Sequence, residues 1–166
     1  MDIFEFALEK EKFSEEYYRD LARRANHPGL KAILTMLADE EAKHYQTVER
    51  MRTETPEKVT DVPVLGRARE IFEKMRVAPQ KFDFLINEAE LYRKACQIEE
   101  QSKKFYLERA EEAQDPEQER IFRLLAQEED KHLSVVENLY SFVSKPESFL
   151  ENAERYYFDD YVEGVL

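Results

Sequence analysis

At 166 residues the chain has the length of one domain and is long enough to bury a substantial core. Three glycines and 37% charged residues favour long solvated helices over strands, and a net charge of −12 leaves no basic stripe for nucleic acid. The single cysteine, Cys96, excludes an internal disulfide, a four-cysteine metal site and a CxxC redox pair.

The amino terminus, MDIFEFALEKEKF, has neither a basic stretch nor an uninterrupted apolar run, so no signal peptide is expected. No apolar run approaches the roughly 20 residues that span a bilayer. A cytoplasmic protein without a membrane segment is the expectation. In chain order, the pattern predicts a helix over 2–25, a turn at Asn26-His27-Pro28-Gly29, and a second helix over 29–53. A proline just inside a helix start costs little, because its missing N–H would be an orphan there anyway.

A proline-punctuated connection follows at 54–79, carrying Pro56, Pro63 and Pro79, with a helix-compatible stretch at 67–76. A third helix is predicted over 80–113. Asp115 is placed to cap a fourth over 116–143. A last short helix, about 146–160, is rich in aromatics (Phe149, Tyr156, Tyr157, Phe158). The expected organisation is a single domain, 1–166, holding hairpins at about 2–53 and 80–143. The second helix, 25 residues in this reading, is about 37 Å long. A connection as long as 54–79 can run back along it, which makes the second and third helices parallel.

The two hairpins are copies. A shift of 88 residues lays 7–45 on 95–133 without a gap, and 14 of the 39 positions are identical. Among the identities are Glu11/Glu99, Ser14/Ser102, Tyr18/Tyr106, Glu40/Glu128, Glu41/Glu129, Lys43/Lys131 and His44/His132.

The apolar stripe of the second helix runs Leu34, Leu37, Glu41, His44, Val48, Met51, the three-four spacing of a packed bundle seam. The fourth repeats it as Phe122, Leu125, Glu129, His132, Val136, Leu139. Glu11 interrupts the seam of the first helix and Glu99 that of the third. Four carboxylates aimed at one core cannot stay ionised without compensation, because an unpaired buried charge costs several kcal/mol. No lysine or arginine shares these seam positions near the acids. Two divalent cations would match the four charges, and a Glu/His pair at i, i+3 lies on one helical face. The mixed oxygen and nitrogen donors suit iron or manganese. His27, at a turn, reads as an ordinary loop residue. Glu40 and Glu128 read as exposed partners of Lys43, Lys131 or the neighbouring turn.

Glutamate on the first and third helices with ExxH on the second and fourth resembles the ferritin-like di-iron carboxylate proteins. The Glu11/Tyr18 and Glu99/Tyr106 spacing and the internal two-fold most resemble the rubrerythrins, over roughly 2–143. The resemblance implies an all-α, ferritin-like four-helix bundle with one long crossover and a short C-terminal helix. It implies two iron ions per chain, with manganese or zinc as alternatives. Glu11 and Glu99 would be terminal ligands, Glu41 and Glu129 bridges, and His44 and His132 would bind one metal each. Reactivity would run through the four metal-bound carboxylates, with Tyr18 and Tyr106 donating hydrogen bonds to them.

Two departures stand out. Rubrerythrins carry a further glutamate where this chain has Ser102, and a four-cysteine iron domain that this chain lacks. The implied function is an oxidoreductase that reduces hydrogen peroxide, or uses peroxide or dioxygen to oxidise ferrous iron. Its electrons would come from a separate donor such as a rubredoxin-like protein, and a homo-oligomer is expected. The alternatives are iron storage in a ferritin- or bacterioferritin-like cage and manganese catalase-like dismutation of peroxide.

Overall fold

The computed structural model describes residues 3–53 and 88–146. They form four α-helices: α1 (Ile3–Arg24), α2 (Pro28–Thr53), α3 (Glu88–Glu112) and α4 (Pro116–Ser144). The start predicted for the third helix at 80, the crossover at 54–79 and the C-terminal helix after 146 lie outside the described residues. The other helix ends fall within a residue or two of those the sequence predicts.

Both internal turns are closed by local chemistry. Asp115 caps α4, its side chain accepting the Glu117 N–H at 2.9 Å, with Pro116 in the first turn. Glu117 and Glu119 place negative charge at that N-terminus, where the helix dipole favours it. At the start of α2 the Gly29 N–H donates to His27 Nδ1 at 3.1 Å, so His27 serves as a cap and not as a free loop residue. Surface pairs such as Arg19–Glu15 and Arg123–Glu119 decorate the outer faces and contribute little each.

Cross-helix pairs give the topology. Arg52–Glu5 and Arg19–Asp39 tie opposite ends of α1 and α2, which are antiparallel. Tyr18 donates to Glu99 and Tyr106 to Glu11, so α1 and α3 are antiparallel too. Parallel α2 and α3 follow, the relation that a single-crossover bundle requires. This is an all-α, ferritin-like four-helix bundle.

The predicted seams are the buried ones. Every seam residue of α2, α3 and α4 is buried, and in α1 only Phe4 is partly open. The apolar core falls into two clusters. One gathers Leu34, Leu37, Tyr92, Val136, Leu139 and Phe142, and the other gathers Ala7, Val48, Met51, Tyr106, Phe122 and Leu125. Between them lies a layer that is not apolar.

Candidate metal centre

That middle layer is built by one inward-facing seam position on α1 and α3 and two on α2 and α4. Glu11, Glu41, Glu99, Glu129 and His132 are at most 1% exposed and His44 is 5% exposed. All six residues singled out in the sequence meet there. Ligand atoms of Glu41, His44, Glu129 and His132 lie within 4.8 Å of one another. Glu11 and Glu99 flank this inner group, with Glu11 Oε2 3.5 Å from His44 Nδ1 and Glu99 Oε2 3.8 Å from His132 Nδ1.

The pairing crosses between helices of different hairpins. His132 Nδ1 is 2.9 Å from Glu41 Oε1, and His44 Nδ1 is 2.8 Å from Glu129 Oε1. The two imidazoles stack with centroids 5.1 Å apart. Tyr18 and Tyr106 also reach across, each from one copy to the other copy's glutamate. Repetition in the sequence identified these tyrosines but could not say which carboxylate each would hold.

Among the described residues the only ion-pair partners of the four carboxylates are the two imidazoles. Glu11 Oε2, Glu41 Oε2, Glu99 Oε2 and both Glu129 oxygens are buried without a hydrogen-bond partner. At 2.8 Å the His44–Glu129 contact is an attraction between charges whose geometry is not that of a hydrogen bond. Unpartnered buried oxygens are rare and costly, and here five converge in one layer. A hard or borderline metal cation is the group that this donor set fits.

Without metal the layer must redistribute protons. Burial, then the Glu99 charge, pushes Glu41 well above the usual carboxylate range, and burial with the Glu129 charge does the same to Glu99. Glu129 is pushed up to about 8 by burial and by the charges of Glu41 and Glu11. Burial also acts upward on Glu11, but His44, Glu41 and Tyr106 outweigh it and leave this carboxyl lowered. Burial opposes charge on His44, yet Glu11, Glu129 and Glu41 hold its pKa well above the ordinary value. His132 is lowered, by burial first and by the neighbouring charge of His44. Burial and adjacent carboxylates raise Tyr18 and Tyr106 far beyond neutral pH, so both are fixed as O–H donors.

The rubrerythrin family model matches residues 2–140, with a second match over 90–163. This chain belongs to the rubrerythrin family. No curated protein and no solved structure matches the chain. Family membership and the buried Glu/His cluster together indicate a di-iron site. No described helix is long and apolar enough to cross a membrane.

Glu40 and Glu128 correct the sequence reading. Both are buried, at 2% and 9% exposure, although their partners are the expected lysines, Lys43 at 2.7 Å and Lys131 at 2.8 Å. Each precedes a cluster glutamate, so it flanks the seam and is covered by the adjoining helix. Their negative charges act on His132 against the effect of burial. The available signal was their repetition under the same 88-residue shift.

Proposed function

We propose that this protein is a di-iron oxidoreductase of rubrerythrin type that reduces hydrogen peroxide. Glu11, Glu41, His44, Glu99, Glu129 and His132 hold the two irons in this reading, with Glu41 and Glu129 between them. The observation that carries it is the convergence of unpartnered carboxylate oxygens on two imidazole Nδ1 atoms in a layer closed to water. Bound there, a ferrous pair supplies Lewis acidity and the two electrons that, with two protons, convert one peroxide to two waters.

The chain's own contribution is placement. Tyr18 and Tyr106 fix Glu99 and Glu11 by hydrogen bonds from hydroxyls that stay protonated. The apolar clusters above and below exclude bulk water, which strengthens every charge interaction in the layer. Cys96 takes no redox part, because burial and nearby acids push its thiol up to about 12. Electrons then come from a separate, rubredoxin-like donor, and we place the protein in the cytoplasm as a homo-oligomer.

Metal analysis with a peroxide-decay assay tests the reading. Iron-loaded protein alone should consume about one peroxide per site and stop, because nothing re-reduces it. A rubredoxin with its reductase should restore continuous turnover. Steady oxygen release without reductant would favour manganese catalase-like dismutation instead. Iron uptake well beyond two per chain, with elution as a cage, would favour storage.

A further inference from the structure

Two serines coincide under the 88-residue shift, one in each copy. Along α1, Ser14 lies midway between Glu11 and Tyr18, and along α3, Ser102 lies midway between Glu99 and Tyr106. Because Tyr18 bonds Glu99 and Tyr106 bonds Glu11, these midpoints face each other across the α1–α3 seam. Both serines are 2% exposed, so the smallest polar side chains of that seam stand directly beside the carboxylate layer.

A groove opens over Ser14 from outside. It is lined by Phe6, Glu9, Lys10, Phe13 and Ser14 of α1 and by Ile98 and Gln101 of α3, with a volume of about 190 Å³, room for a few water-sized molecules. Its rim sets two exposed rings, Phe6 and Phe13 at 44% and 52%, beside one charge of each sign, Glu9 and Lys10. At its floor the Ser14 hydroxyl has no hydrogen-bond partner among the described residues, although the residue is buried. Beneath it lie Glu11 and Glu99, each with a buried, unpartnered oxygen.

We propose that this groove is the entry route of the oxidant, and that Ser14 is the polar step through which a small neutral molecule passes to the metal pair. The proposal rests on the di-iron reading and deepens it by naming the class that enters. A narrow groove of this size passes an uncharged molecule such as peroxide or dioxygen. Past the opposed charges of Glu9 and Lys10 it offers a hydrated ferrous ion only the Ser14 hydroxyl, too little to replace its water, so iron loads by another path.

The test uses nitric oxide, a neutral diatomic ligand of ferrous iron, mixed anaerobically with the iron-loaded full chain and followed by absorbance. Ser14→Leu plugs the floor, and Gln101→Trp plugs the mouth from an exposed position that does not burden the core. Both should slow association by about tenfold, with dissociation slowed equally and affinity unchanged, as expected when a path and not a contact is altered. Iron per chain and the rate of ferrous loading should match wild type. Thr35→Trp, on the outer face of α2, should change nothing.

Unchanged nitric oxide rates in fully loaded Ser14→Leu and Gln101→Trp would overturn the proposal. If Ser14→Leu fails to fold, an unchanged rate in Gln101→Trp alone does so. Ferrous loading slowed in parallel would also overturn it, showing that the groove carries metal. If wild type takes up no iron and gives no nitric oxide signal, the di-iron reading falls, and this proposal with it.

Discussion

The two halves of the site are built from the same residues at the same spacing, yet they differ in charge. His44 Nδ1 faces three carboxylates, those of Glu129, Glu11 and Glu41, at 2.8, 3.5 and 3.7 Å. His132 Nδ1 faces two, Glu41 at 2.9 Å and Glu99 at 3.8 Å. Against its burial, the three carboxylates raise the pKa of the first ring, whereas burial, and then the charge of the stacked His44 ring 5.1 Å away, lower that of the second. A sequence repeat therefore duplicates ligands without duplicating their protonation. Metal is what would make the halves equivalent, since each imidazole must then be neutral at its bound nitrogen.

Removing the metal should break the equivalence most strongly. At free metal about a thousand times Kd, loading stabilises by about 4 kcal/mol, on the order of 10 °C in Tm for a chain of this size. Calorimetry with and without chelator measures this. Glu41→Gln and Glu129→Gln should each disturb both metals, which metal analysis reads directly. Coincident melting of loaded and stripped protein would show that no tight site exists.

The histidines sharpen the comparison. His44→Ala and His132→Ala should each cost about one metal per chain. In metal-free protein they should differ. Losing the charged His44 leaves buried carboxylates uncompensated, at about 3–5 kcal/mol. Losing the neutral His132 removes one buried partner, about 1–3 kcal/mol. Equal destabilisation in urea melts would mean that the proton is shared.

A smaller effect concerns pH. Glu129 sits near 8 in the folded, metal-free chain against an ordinary value of 4.5. A folded pKa raised above the unfolded one gives stability that is complete below the unfolded value and lost as pH climbs through the folded value. The Tm of stripped protein should therefore fall between those two pH values, and Glu129→Gln should flatten the fall. Loaded protein should not show it, because protons compete with metal and the competition eases as pH rises.

Smallest of all, Tyr18→Phe and Tyr106→Phe should each lower metal affinity about tenfold, by freeing one terminal glutamate. Titration of both variants compares the halves directly. A large gap between them would mean that Glu11 and Glu99 are not equivalent ligands.

Most of the fold was legible because the signals are long and redundant. The 14 identities under one shift fix two hairpins, and seams such as Leu34-Leu37-Glu41-His44-Val48-Met51 mark the buried face. The six cluster residues were legible for the same reason, since Glu and His on an apolar stripe demand an explanation. What escaped depends on neighbours in space. The burial of Glu40 and Glu128 is decided by how closely an adjoining helix covers a flanking position, which periodicity on one helix does not encode. The cap formed by His27 turns on a single rotamer. The unequal protonation of His44 and His132 arises from distances that only the packed bundle sets.

The division of the core into two apolar clusters has a mechanical consequence. Every helix threads both clusters and is bridged between them by the acidic layer alone. Without metal that layer sets unpartnered carboxyl oxygens where apolar contacts would otherwise be, so the bundle has a fault plane at mid-height and its two ends should open separately, as independent units in hydrogen exchange. Cations bound there would clamp all four helices at one level and couple the ends, so that amides near the Pro28 turn at one end would exchange in concert with those near the Pro116 turn at the other.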